Sequence, residues 1–202
     1  MKVICIGRNY VEHIEELGNE KPERPVIFLK PDSSIILNNK PFFLPDILGE
    51  VHHEVEILVK INKVGKSIPV KFASTYYDKI GLGIDFTARE LQRYAKSKGL
   101  PWDLAKGFDG SAPISRFISK KEFGDGPIPF HLELNGNVVQ KSDTSLMLYP
   151  IPEIISYVSQ FITLKIGDII FTGTPKGVGP VKIGDHLRGY VGDQKMLDFH
   201  VR

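Results

Sequence analysis

Cysteine is nearly absent: Cys5 is the single one in 202 residues. A lone thiol excludes an intrachain disulfide framework and fits a reducing compartment. Long apolar runs are missing as well. No stretch approaches the roughly 20 residues that a membrane-spanning helix needs. The opening MKVICIGRNYVEH has too short an apolar core for a secretory signal. A strong charge of one sign is also lacking. The chain carries 26 basic and 24 acidic residues, a net +2, without a long block of like charge. Nothing therefore points to a nucleic-acid or membrane partner. Repeats of domain size and low-complexity linkers do not occur. KIGD does appear twice, at 165–168 and 182–185. Each copy sets Gly-Asp ahead of apolar residues, as in a turn feeding a strand. With 42% hydrophobic and 25% charged residues, the expectation is a cytoplasmic globular protein forming one domain over 1–202.

What is present reads mostly as strands. MKVICI and PVIFLK are short, apolar and β-branched. Between them, Val11, Ile14 and Leu17 have helical spacing, and Gly18 is a plausible stop. Residues 51–61 alternate, with Val51, His53, Val55, Ile57, Val59 and Ile61 on one face of a long strand. IGLGIDF is a further strand. TARELQRYAKSKG reads as a helix, with Thr87 and Glu90 as a capping box and Gly99 as its end. FHLELNGNVVQ predicts a hairpin turning at Asn135-Gly136. IPEIISYVSQFI predicts a helix with Pro152 near its first position. From GDIIFTGT onward the pattern is short strands and glycine-rich turns. Strands outnumber helices and do not alternate with them regularly. That indicates an α+β, β-rich fold with mixed or antiparallel sheets, and argues against a doubly wound dinucleotide fold.

The stretch EVHHEVEIL, residues 50–58, places Glu54 and Glu56 two apart on a strand, hence on one face with side-chain origins roughly 6–7 Å apart. A solvated face is one reading. Buried together without a cation, the pair would force one carboxylate to take up a proton. Asp85 closes the apolar run IGLGI, where a carboxylate is costly unless paired or metal-bound. Three carboxylates from two strands suit a hard divalent cation such as Mg²⁺. Zinc is disfavoured, since HHEVE lacks the second histidine of H-E-x-x-H. His52 and His53 face opposite ways and read as structural. His13 and Glu16, three apart, share a helical face, which is a surface pair or a general base with its carboxylate. Lys106 sits in the loop-like PWDLAKGFDGSAP and would neutralise an anionic substrate or simply be solvated. TGTPKGVGP is not a phosphate loop and reads as a tight turn.

Taken together, GRNYVEH, HHEVEI, GIDFTARELQ, GLPWDLAKGFDGSAP and GDIIFTGTPKGVGP resemble the fumarylacetoacetate hydrolase family, in order and across nearly the whole chain. The match is closest to its short, single-domain branch of acylpyruvases, oxaloacetate decarboxylases or tautomerases, and isomerase-decarboxylases. The resemblance implies a roll of stacked mixed β-sheets with few helices, usually a homodimer. It implies Glu54, Glu56 and Asp85 as ligands of Mg²⁺ or Mn²⁺, Lys106 as an active-site lysine, and His13 with Glu16 as a dyad on a short lid helix within residues 1–20. Arg89, Gln92 and Thr174 fall where relatives contact the substrate's oxygens. The activity implied is C–C bond hydrolysis of acylpyruvates, or decarboxylation or tautomerisation of oxaloacetate. The alternative is an isomerase-decarboxylase acting on 2-hydroxyhepta-2,4-diene-1,7-dioate-type compounds.

Overall fold

The structure, a computed structural model, describes residues 1–18, 20–124 and 126–202. A six-stranded sheet forms its centre, in the order Val26–Lys30, Val3–Gly7, Ile169–Phe171, Val55–Ile61, Tyr77–Ile84, Ile118–Ser119. Val3–Gly7 and Ile169–Phe171 run parallel; the other neighbours are antiparallel. Along Val55–Ile61 the alternation expected from the sequence holds. Val55, Ile57, Val59 and Ile61 enter the main core. That core is shared with the helix Ile151–Phe161 and a four-stranded antiparallel sheet made of Pro129–Leu134, Asn137–Asp143, His186–Val191 and Gln194–His200. Leu58 points the other way, into a smaller cluster with Val3, Cys5, Ile114, Ile169 and Phe171.

Residues 51–61 are not one strand, however. The run breaks at Glu54 into Val51–His53 and Val55–Ile61, which belong to different sheets. Val51–His53 pairs with Gly179–Val181 and Thr87–Ala88 in a three-stranded sheet. At the break the backbone changes partners: Glu54 O accepts from Asp85 N at 2.8 Å, and Val55 N donates to the Gln140 side chain at 3.0 Å. The alternation of apolar residues in the sequence runs straight through this switch, so the pattern alone does not reveal it.

The helix Arg89–Lys98 ends as expected on Gly99, at φ +65°, where glycine carries no Cβ penalty. Its start differs from the expected capping box. Ala88 occupies the N-cap without a side-chain bond. Thr87 is instead part of the strand pair, and its hydroxyl donates to Asp85 O and accepts from Lys106 Nζ. The neighbouring segment replaces the cap, with Arg89 N donating to Glu50 O at 2.8 Å. The hairpin turns at Asn135 and Gly136, φ +53° and +84°, as an Asn-Gly turn should.

Candidate active site

The first strand, Val3–Gly7, delivers the chain to a turn at Arg8 and Asn9 and then to the helix Val11–Glu16. Buried Asn9 fixes that turn. Its amide donates to Thr172 O at 2.7 Å and Tyr149 O at 3.1 Å, and its oxygen accepts from Tyr149 N at 2.8 Å. The short helix turns Ile14 and His13 inward. His13 Nδ1 lies 3.2 Å from Glu16 Oε2, while Glu16 Oε1 accepts from Gly177 N at 2.9 Å. The helix is thereby tied to the glycine-rich 172–180 segment.

Glu54, Glu56 and Asp85 are all buried, and one oxygen from each lies within 4.8 Å of the others. Three cations share two of these carboxylates. Glu54 bonds Arg89 Nη2 at 2.7 Å and Lys106 Nζ at 2.8 Å. Asp85 bonds Lys106 Nζ at 2.6 Å through Oδ2 and pairs with Lys30 Nζ at 2.8 Å through Oδ1. Glu56 has no ion pair among the described residues; its Oε2 accepts from Gly173 N at 2.7 Å. Gly173 is held at φ +102°, and a Cβ there would come within 2.6 Å of Asn9 Cβ. Glycine is thus required for the amide to reach Glu56.

The electrostatics follow from those partners. Burial opposes ionisation of Glu54, but Lys106 and Arg89 outweigh it and hold the carboxyl well below the usual range. Burial drives Glu56 well above that range, and the Asp85 charge pushes it further. Lys106 is buried too, but Asp85 and Glu54 outweigh the desolvation and hold it above the ordinary lysine value. The cluster is thus short of positive charge at Glu56.

His13, Glu54, Glu56, Asp85, Arg89, Gln92, Lys106 and Thr174 line one cavity. Glu16 stands behind His13. Arg89 Nη1 donates to Gln92 Oε1 at 2.8 Å. Thr174 donates its hydroxyl to Val55 O at 2.9 Å and accepts from Gln140 Nε2 at 2.9 Å. Lys106 closes a single helical turn, Asp103–Lys106, where a loop was expected. The structure adds residues that the sequence reading passed over: Lys30 against Asp85, and Arg8, Phe28, Lys96 and Trp102 in the cavity wall. Lys30 carried a signal, since it closes an apolar strand as Asp85 does. His52 pairs with Glu50 at 2.8 Å and His53 with Gln140 at 2.9 Å. Neither lines the cavity, and burial holds both imidazoles below their ordinary value, consistent with structural roles.

Stacked, mostly antiparallel sheets with few helices and a buried acidic cluster define a β-rich roll of one family. Residues 2–201 match the fumarylacetoacetate (FAA) hydrolase C-terminal model, and the chain belongs to that family. It is 41% identical over 201 residues to the mitochondrial oxaloacetate tautomerase of Mus musculus, spanning 99% of this chain and 91% of that protein. It is 41% identical over 203 residues to the mitochondrial oxaloacetate decarboxylase of Dictyostelium discoideum, spanning 99% and 93%. Among solved structures it is similar to fumarylpyruvate hydrolase from Pseudomonas aeruginosa in complex with Mn²⁺ and pyruvate. That likeness has a TM-score of 0.94 and 33% identity, and covers 100% of this chain and 89% of that one.

Proposed function

We propose that the protein is a divalent-metal-dependent enzyme of 2-oxo acids, which hydrolyses the C–C bond of acylpyruvates or decarboxylates or tautomerises oxaloacetate. The observation that carries this reading is the buried trio Glu54, Glu56 and Asp85 with Glu56 left without a cation. The donor set fits Mg²⁺ or Mn²⁺: three hard oxygens, close together, one of which a positive ion would relieve of its proton. Glu54, Glu56 and Asp85 would hold the ion. When bound, it supplies Lewis-acid polarisation of a keto oxygen and stabilises the charge that builds there.

The chain's own groups do the remainder. Arg89 and Gln92 orient the substrate carboxylate. Lys106 adds positive charge beside the keto oxygen. Nδ1–H of His13, held by Glu16, leaves Nε2 free as a base. In acylpyruvate hydrolysis Nε2 takes the proton from water as it attacks the distal carbonyl; the bond between that carbonyl carbon and C3 then breaks, releasing a carboxylic acid and the enolate of pyruvate, and the proton on His13 returns to C3. Oxaloacetate needs no attacking water, so the dyad is dispensable for its decarboxylation. The relatives' names support the substrate class: oxaloacetate for two of them, and pyruvate with Mn²⁺ for the third.

The test is a screen of acylpyruvates, oxaloacetate and unsaturated 2-hydroxy dioates with Mg²⁺ or Mn²⁺, followed by product identification. Pyruvate plus a carboxylic acid indicates hydrolysis. Carbon dioxide or keto–enol exchange indicates the oxaloacetate activities. A shifted double bond would favour the isomerase alternative. His13→Ala should lower acylpyruvate hydrolysis about 10²–10⁴-fold with metal binding intact. Equal loss of metal affinity and of oxaloacetate turnover would count against the dyad's role.

A further inference from the structure

Gln140 is a buried polar side chain that the proposed chemistry does not use. It sits on Asn137–Asp143 in the four-stranded sheet, outside the lining of the cavity that holds the carboxylates. A buried amide is costly unless its hydrogen bonds are made, and Gln140 makes four. Its Oε1 accepts from Val55 N at 3.0 Å and meets His53 Nδ1 at 2.9 Å. Its Nε2 donates to Pro175 O at 3.0 Å and to Thr174 Oγ1 at 2.9 Å. Val55 N can only donate and Pro175 O can only accept, so the amide has one orientation. His53 must then carry its ring proton on Nδ1, as donor to Oε1.

The donor half of the amide holds the 172–180 segment, which touches both parts of the site. Gly173 N donates to Glu56 at 2.7 Å, and Gly177 N donates to Glu16 of the dyad at 2.9 Å. The two ends are fastened differently. Around Gly173 the chain is tied to Val55–Ile61 without Gln140. Thr172 N and Oγ1 both donate to Ile57 O, at 3.2 and 2.9 Å, and Thr174 Oγ1 donates to Val55 O at 2.9 Å. Beyond Thr174 the buried anchor is Pro175 O on Gln140. The chain then passes so close over the same strand that a Cβ on Gly177 would collide with Val139 O. The Lys176–Glu12 pair, 2.9 Å apart, is exposed, and such pairs contribute little.

We propose that Gln140 is a positioning residue for the dyad: through Pro175 it places the Gly177 amide that holds Glu16, and so aligns His13 with the attacking water. It touches neither the substrate nor the carboxylate trio and acts only through the segment it anchors. The role rests on the reading of His13 and Glu16 as the base that activates water. A purely structural Gln140 would instead support the whole site alike, through Val55 N between Glu54 and Glu56.

Gln140→Met keeps the length of the side chain and removes its hydrogen bonds. It should lower kcat for acylpyruvate hydrolysis about 10–100-fold, the scale of a small misplacement of a catalytic group. Oxaloacetate turnover and Mn²⁺ affinity should be kept. Added to His13→Ala, it should cost no further hydrolysis, because the two act as one unit. Gln140→Glu, ionised at alkaline pH, retains the acceptor for Val55 N and His53 but not the donors, and should show the same selective loss. In the ion-free protein, hydrogen exchange read by mass spectrometry should quicken over 10–17 and 175–178 in Gln140→Met and stay unchanged over 55–61. Equal loss of hydrolysis, oxaloacetate turnover and Mn²⁺ affinity, losses that add to those of His13→Ala, or failure of both variants to fold would overturn the positioning role. Unchanged exchange over 10–17 would do the same. A wild type that hydrolyses no acylpyruvate would overturn the hydrolytic reading itself.

Discussion

Glu54 and Glu56 stand two residues apart and are held in opposite ways. Glu54 has two cations on it; Glu56 has one backbone amide. Burial and the Asp85 charge raise Glu56 in the folded protein, and an unfolded chain has no such neighbours. Between the ordinary glutamate value and the raised one, the folded state therefore binds more protons than the unfolded state. The stability this proton supports is fully present below the ordinary glutamate range and is lost as pH rises through the raised value. Glu56→Gln keeps an acceptor for Gly173 N and removes the titration. The metal-free variant should match the wild type in mild acid and exceed it above neutrality by about 1–3 kcal/mol, the cost of a buried polar group left unmatched. Urea denaturation in chelator across that range checks it; a variant less stable at every pH would contradict the assignment. The carboxylates themselves were legible, because a charge inside an apolar strand demands a partner. Arg8 and Lys96 were not, because one more arginine in a turn and one more lysine on a helix carry no sequence-level anomaly.

The two KIGD segments form the same turn, one element leading into Ile169–Phe171 and the other into His186–Val191. In each the aspartate accepts from the lysine backbone N–H three residues earlier, Lys165 to Asp168 at 2.7 Å and Lys182 to Asp185 at 2.8 Å. Each glycine has positive φ, +90° at Gly167 and +96° at Gly184. Asp168 also ties down the first strand through Lys2 N at 2.8 Å and Lys2 Nζ at 2.6 Å. Burial alone would raise its carboxyl, but the bonds from Lys2 and Lys165 outweigh it and set it below the usual range. Its contribution is then present above the ordinary aspartate range and lost as pH falls through the lowered value. Asp168→Asn should cost about 2 kcal/mol near neutrality, and the gap to wild type should close in strong acid, as read by urea midpoints. Turns of this sort were legible from four residues, since the bonds are local. The break at Glu54 and the lost capping box at Thr87 were not, since both arise from pairing between Val51–His53 and Thr87–Ala88, which are more than 30 positions apart in the chain. The helix Val11–Glu16 was legible in place, although six residues form a marginal helix alone; Ile14 packing and the Glu16–Gly177 bond hold it.

At the scale of the whole molecule, the cavity is a meeting point of separate elements. Glu54 lies at the junction of two sheets, Asp85 just beyond Tyr77–Ile84, Lys30 at the end of Val26–Lys30, Lys106 on its own helical turn, and Gly173 just beyond Ile169–Phe171. Cys5 packs nearby on the face of the central sheet that carries Leu58, and burial, followed by Asp85, raises its thiol far above the ordinary value. An ion held by Glu54, Glu56 and Asp85 would therefore add a tie between two strands that already pair, Val55–Ile61 and Tyr77–Ile84, and an unfolded chain would not hold it. Binding to the folded state alone stabilises by about 2.7 kcal/mol at 100 times Kd. For a chain of 202 residues that corresponds to a rise in Tm of about 5–10 °C. Calorimetry with Mn²⁺, then with excess chelator, should show the rise and its reversal. Glu56→Ala should melt at one temperature in both conditions. A wild type indifferent to Mn²⁺ would remove the ion from the site, and a Glu56→Ala protein that still gained stability would place it elsewhere on the surface.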